Sequence, residues 1–332
     1  MKRLLTICLG LMLCVGLSAQ TLGEYKVLDK GRSNKRIKKK KKRVYIADFQ
    51  VNYQLGLALQ DEKKGGRMFG GGVKGDTKAT LVLGIAGVDV DPLQELTDKL
   101  YAQYISDLEA KGFEIVKPDE FFNHPAVMKK RDKRWAMKTY NEGPMEGDYF
   151  GSVVTKPQGF TTVVPTVEVN AANPVSNMKG MYIAQTEMKV EQSADFVMNK
   201  VMVVVQAFEN SQGAASKMIS RMSKTATVKA ETNFRVSGEW SKNNFNIYSI
   251  FTVNDIPIKG VIEKQKFNVQ TTPDRSSFGT DMGAFRVFKA DNRAYENIKT
   301  VECDPQLYLK GAEMGAQTFL KETLSKLFEV TQ

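Results

Sequence analysis

The chain has 332 residues, 42% hydrophobic and 26% charged. That is enough apolar material for a packed core and too much for a wholly disordered chain. Three Cys and one His argue against a zinc site of the Cys/His kind, and they leave His124 as the one residue on which a histidine-dependent triad could be built. The formal net charge is +11, a value that would suggest a polyanion partner if it were spread over the fold.

It is not spread over the fold. Residues 1–20 read as a signal peptide: Lys2 and Arg3 form the charged start, Leu4 to Leu17 the apolar stretch, and Ser18-Ala19-Gln20 supplies small residues for cleavage. The apolar run is short for a spanning anchor. Cys14 follows Leu11-Met12-Leu13 rather than the small residues of a lipoprotein signal. Cleavage leaves Cys303 as the single cysteine, expected to be a buried apolar residue. Residues 21–43 hold 11 Lys and Arg against Glu24 and Asp29, a net of +9, and read as a basic disordered linker. Lys38, Lys39, Lys40, Lys41, Lys42 and Arg43 are the candidate contacts with an anionic membrane surface, where each basic residue contributes about 1 kcal/mol. From residue 44 onward, 35 basic and 35 acidic residues cancel, so nucleic acid is a disfavoured partner.

The body is expected to be one α/β (α+β) domain over 44–332, a mixed β-sheet packed by helices at about 91–111 and 304–330, with an insertion at about 121–192. Val44 to Tyr53 is β-branched and aromatic, a strand pattern. Residues 61–78 carry six glycines and read as a loop. Gly70 and Gly75 have phosphate-loop spacing, but Asp76-Thr77 stands where that loop needs Lys-Ser/Thr, so the motif is a near miss. Ala79 to Ala86 returns to strand character.

Asp91-Pro92 opens a helix, with Asp91 expected to cap and Gln94 to reciprocate. Its apolar stripe is Leu93, Leu96, Thr97, Leu100, Tyr104 and Leu108, and Gly112 is the expected stop. Phe113 to Val116 is a strand. Residues 124–143 form a second helical candidate, basic between Lys129 and Lys138, with Trp135 turned inward; His124 is a loop residue ahead of it. Residues 144–180 are rich in Gly, Pro, Thr and Asn and read as a long loop or hairpin, with an edge strand over Phe160 to Val169 broken at Pro165. Phe196 to Phe208 is a nearly continuous apolar run, the mark of a central strand. Residues 226–236 alternate strictly, with Ala226, Val228, Ala230, Thr232, Phe234 and Val236 on the inner face. Phe245 to Val253, a turn at Asn254-Asp255-Ile256-Pro257, and Ile258 to Val269 suggest a hairpin. Asp304 and Pro305 open the last helix, in which Gly311 and Gly315 allow close backbone approach.

Val44-Tyr45-Ile46-Ala47-Asp48-Phe49, the helix 93–112 leading to Phe113-Glu114-Ile115-Val116 and Pro118, Ala194-Asp195-Phe196-Val197 before the valine strand, and Asp304-Pro305 with its helix together resemble the curli secretion channel family (CsgG-like). The core of that family is similar to the amino-terminal domain of TolB. The resemblance covers about half of the chain and carries no catalytic signature or cofactor. It implies a cell-envelope domain that acts by assembly with other protein chains, sometimes as a ring.

Three functions follow as expectations. The first is an exported envelope protein, periplasmic or associated with the outer membrane, that acts by protein–protein assembly in secretion or in building a surface structure. Its partners would be envelope proteins and further copies of itself. The second is a periplasmic enzyme using carboxylates, with Asp48 at a strand end facing a crevice. The third is binding of a polyanion or membrane surface through the basic segment.

Overall fold

The structure, a computed structural model, describes residues 20–30, 42–64, 66–67, 73–74, 76–128, 134–166, 174–212, 225–245, 248–271 and 298–331. The strands in chain order are β1 Thr21–Leu22, β2 Val27–Lys30, β3 Arg43–Gln54, β4 Gly56–Lys63, β5 Gly66–Arg67, β6 Val73–Lys74 and β7 Thr77–Ala86. Helix α1 (Asp91–Ala110) leads to β8 (Glu114–Ile115) and the short helices α2 (Pro118–Phe122) and α3 (Pro125–Met128). Then come β9 Trp135–Tyr140, β10 Met145–Glu146, β11 Ser152–Thr155, β12 Phe160–Pro165 and helix α4 (Pro174–Ser193). The remainder is β13 Val197–Asn210, β14 Ala226–Val236, β15 Lys242–Phe245, β16 Tyr248–Thr252, β17 Ile256–Lys259, β18 Lys266–Thr271, β19 Ile298–Glu302 and helix α5 (Pro305–Thr331). The fold is mixed α+β, one large, mainly antiparallel sheet with smaller sheets beside it.

The valine-rich β13 is the hub. It runs parallel to β3 from Val197 beside Val44 to Val205 beside Tyr53. Its other edge pairs antiparallel with β15 and then with β14. A strand hydrogen-bonded on both edges and covered over most of both faces is largely apolar, which explains its run of valines. One face packs on α1, α5 and the three-stranded sheet β4–β7–β19, in a core that includes Phe49, Leu100, Val203 and Phe319. The other face meets a second layer of α2, α3, the paired strands β9 and β12, and α4, in a smaller core around Tyr45, Phe121, Trp135 and Val190.

The six stripe residues of α1 are its buried residues. Its C-terminus closes as expected: Gly112 (φ 80°) donates to Glu109 O and Phe113 to Leu108 O, the paired bonds of a Schellman motif. Its N-terminus does not close as expected. The helix starts at Asp91 without a side-chain cap, and Gln94 instead donates to Asp98 Oδ1 and to Lys156 O. On α5, Asp304 Oδ1 does accept from the Gln306 and Leu307 amides. Gly315 lets this helix sit so close that a Cβ there would lie 2.6 Å from Ile258 and 2.8 Å from Val236.

Three expectations are corrected. The linker does not start at residue 21: Thr21–Leu22 pairs with β17 and Val27–Lys30 with β16, because Leu22, Tyr25 and Val27 have apolar surface that packs against the main core. The helix foreseen over 124–143 does not run through: Pro125–Met128 and Arg134 are helical, residues 129–133 lie outside the described residues, and from Trp135 the chain is a strand paired with β12, burying Trp135 on the second core. The loop foreseen to residue 180 gives way to α4 at Pro174, whose Ile183 and Val190 anchor it over the sheet. Gly70 and Gly75 lie outside the described residues.

Candidate functional site

The central irregularity of the sheet lies in β3. Val44 and Ile46 face the main core, and so do Phe49, Val51 and Tyr53. The inward positions thus switch from even to odd numbers. The switch is made by a bulge: Asn199 pairs with Ile46, but Lys200 pairs with Asp48, which leaves Ala47 as an extra residue. Bulges of this kind redirect side chains. Without it, strict alternation would turn Asp48 into the apolar core and Phe49 out of it. With it, Asp48 stands on the opposite face, under the second layer.

A cleft of about 510 Å³ opens there. Its floor is Ala47 and Asp48 of β3 with Met198 and Lys200 of β13. One wall is Tyr140, Lys156 and the strand from Thr162 to Pro165, and the other is the Gly180, Ile183, Ala184 and Glu187 face of α4. Thr162 fastens the first wall to the floor: its hydroxyl donates to Ala47 O, and the Tyr45 phenol shares a hydrogen bond with it at 2.8 Å while accepting from the Val163 amide. The ionisation of Tyr45 is pushed to higher pH, first by burial, with smaller contributions from the negative charges of Glu187 and Asp48.

Four charges cross the cleft in alternating sign. Lys156 Nζ is hydrogen-bonded to Asp48 Oδ1 and lies 4.8 Å from the centre of the Tyr140 ring. Lys200 Nζ reaches both oxygens of Glu187, at 2.8 and 2.9 Å. Asp48 and Lys200 are neighbours across the β3–β13 ladder. Lys156 is nearly enclosed, whereas Lys200 remains 43% exposed. Both carboxylates already hold an ammonium group, an arrangement suited to binding charged groups. Of these four residues only Asp48 was an expected site residue. Lys156, Glu187 and Lys200 come from three separate segments, and the only sequence signal among them is a lysine inside the apolar run of 196–208.

The basic-segment candidates divide. Lys38, Lys39, Lys40 and Lys41 lie outside the described residues. Lys42 donates to Lys111 O at the end of α1, where the helix dipole favours a cation. Arg43 opens β3 and binds Glu114, Glu120 and Asp195 at 2.6 to 2.9 Å. Its guanidinium, whose pKa is raised chiefly by the hydrogen bonds to Glu120 and Glu114, thus joins β3 to the elements around it. His124 shares a hydrogen bond with Ser193 Oγ at 3.1 Å and accepts from the Ala126 amide, so it joins α3 to the end of α4. Cys303 is buried, and burial and the neighbouring Asp304 carboxylate push its thiol up to about 11.

A smaller cavity of about 250 Å³ lies between β4 and the ends of β13 and β14. The Asp61 carboxylate within it is held by Lys63 at 2.7 Å and by the Thr227 amide at 2.9 Å. Among the described residues there is no cluster of three or more His, Cys, Asp and Glu that could hold a metal ion, and no helix is long and apolar enough to cross a membrane. Compared with known proteins, the chain matches no family model, no curated protein and no solved structure.

Proposed function

We propose that this chain is an exported cell-envelope protein that works by assembling with other protein chains, copies of itself included. The observation that carries the reading is the docking of residues 20–22. Gln20 Nε2 donates to Leu307 O at 2.7 Å, and Thr21 and Leu22 pair with Lys259 and Ile258. The contacts of the body reach back to Gln20, directly behind Ser18-Ala19, so cutting there would remove a charged and apolar leader without removing any of these contacts. For assembly, the body offers exposed aromatic surface on two neighbouring turns: Tyr149 is 71% exposed and its ring lies 6.5 Å from that of Trp240. Aromatics of this kind are enriched in protein interfaces. The resemblance in the sequence points the same way.

The test is fractionation of the producing cells, with intact-mass measurement of the recovered protein and light scattering of the mature form. The expected result is a chain lacking about its first 19 residues, in the envelope fraction and larger than a monomer. A cytosolic chain that keeps Met1, or a strict monomer without envelope partners, overturns the proposal. Contact of the run Lys38 to Lys42 with an anionic surface is a further part of it. Deletion of residues 31–41 should abolish pelleting with anionic vesicles, and unchanged pelleting removes that part.

A second reading, a periplasmic enzyme using carboxylates, is favoured by one observation: Asp48 lines the same cleft as Glu187. It requires turnover of an ester, glycoside or phosphoester substrate that Asp48→Asn abolishes. No turnover by the unmodified protein removes it.

A further inference from the structure

We propose that the cleft between the β3–β13 sheet and α4 binds a short peptide of two or three residues with both ends free. The four charges carry the chemistry. Two ammonium groups and two carboxylates alternate across the cleft and sum to zero. A ligand with one charge would leave an unmatched charge in a partly enclosed site, which is costly, whereas a ligand carrying one charge of each sign keeps the site neutral.

Each end of such a ligand has an acceptor or donor waiting. Asp48 uses Oδ1 for Lys156, and its other oxygen has no hydrogen-bond partner among the described residues, so it can take an ammonium group. Lys200 remains part-exposed and can take a carboxylate.

Space and lining set the size. Small-molecule sites occupy about 300–1,000 Å³ and are mostly apolar with a few placed polar groups. This cleft, at about 510 Å³, has Phe121, Val163, Ile183 and Met198 between and around its charges, a surface for apolar peptide side chains. Two features separate a binding site from a pair of fasteners that merely hold the second layer down. A fastener needs no open volume, yet Gly180 and Ala184 stand on the α4 face where larger side chains would close the space. Asp48 also reaches the cleft only through a bulge in a central strand.

The test is calorimetric titration and thermal unfolding of the full chain with three probes: Leu-Leu with free ends, N-acetyl-Leu-Leu and Leu-Leu amide. The free-ended dipeptide should bind and raise the unfolding temperature, and blocking either end should weaken binding at least tenfold. In Lys200→Met the tenfold difference between the free and amidated forms should shrink to about one, while the difference due to the amine end persists. Asp48→Asn should show the converse. These ratios are taken within each variant, so a general loss of stability does not mimic them. Ala184→Leu, which fills the cleft and spares all four charges, should abolish binding. Equal binding of free and blocked dipeptides, or no binding of any of the three at millimolar concentration, overturns the proposal.

Discussion

Replacing Asn243 by alanine should destabilise the protein by about 3 kcal/mol, through a polar network sealed inside the main core. Tyr104 of α1 donates its hydroxyl to Asn199 Oδ1 at 2.9 Å and stands 3.3 Å from Asn243 Oδ1. Asn199 of β13 donates to Asn243 Oδ1 at 2.7 Å, and Asn243 of β15 donates to Thr323 Oγ1 of α5 at 2.9 Å. All four side chains are at most 1% exposed. The network therefore ties α1 and α5 to β13 and β15 beneath them. Asn243 takes part in three of its bonds. Each bond contributes a net of roughly 0.5–1.5 kcal/mol, and a buried N–H left without a partner costs about 1–3 kcal/mol. Asn199 keeps its second bond, to Asn244 O, and Tyr104 keeps Asn199, so the loss stays near the middle of the three-bond total of roughly 1.5–4.5 kcal/mol. Tyr104→Phe removes one hydroxyl and should cost about 1–1.5 kcal/mol. The double variant should cost less than the two together, by about 1 kcal/mol, because Tyr104 and Asn243 contact each other and both bond Asn199. Urea unfolding followed by circular dichroism measures all three. A loss under 1 kcal/mol for Asn243→Ala, or strict additivity in the double variant, refutes the network as drawn.

Gly315→Val should lower stability by about 1–3 kcal/mol, measured by the same unfolding assay, since the new side chain must displace Ile258 and Val236 from contact with α5. Cys303, with its thiol held protonated up to about 11, should react with a disulfide reagent at pH 8 only as fast as the protein unfolds, and prompt labelling of the native protein would contradict its burial. Burial raises the ionisation of Tyr101 to about 12 and pushes Tyr53, Tyr104 and Tyr308 up as well. Above pH 10 the unfolded chain releases these phenolic protons while the folded chain holds them. Stability is therefore complete below pH 10 and falls between pH 10 and 12 by about 1.4 kcal/mol per pH unit per tyrosine. The part of the phenolate absorbance that these four tyrosines contribute should rise together with unfolding and not before it.

Where one periodicity governed a segment, the sequence was legible. The α1 stripe and the alternation of β14 are each the imprint of a single buried face, and the Asp304 cap is a local device needing no distant partner. The failures lie where distant contacts decide. Trp135 to Tyr140 is a strand because β12, twenty residues on, supplies its ladder, although the basic stretch before it suggested a helix. Helix α4 has a weak apolar face, because part of that face lines an open cleft instead of a packed core. The cleft shared the same fate. Its charges come from segments up to 152 positions apart, between Asp48 and Lys200, and only the fold brings them together. One trace was present: the shift of apolar positions from Val44 and Ile46 to Phe49, Val51 and Tyr53 is the mark of a bulge.

That bulge leads to a prediction contrary to ordinary expectation for a central strand. Deleting one residue from a buried strand usually turns every later side chain to the wrong face. At Ala47 it should not. Ile46 already pairs with Asn199 and Asp48 with Lys200, the next residue along β13, so removing Ala47 joins two positions that are consecutive in the ladder. On the outer edge, β8 pairs only with Arg43 and Val44, and β11 only with Val51 to Gln54, so neither spans the deletion. The identifiable loss is the hydrogen bond from Thr162 Oγ1 to Ala47 O, about 1–2 kcal/mol. Deleting Gln50 instead leaves the bulge in place and throws Val51 and Tyr53 out of the main core, where each is fully buried, at a cost of several kcal/mol. Circular dichroism and thermal unfolding of the two deletion variants decide the matter. The chain lacking Ala47 should fold and melt cooperatively, and the chain lacking Gln50 should not. If the two behave alike, Ala47 is not a spare residue in β3, and the placement of Asp48 in the cleft needs another cause.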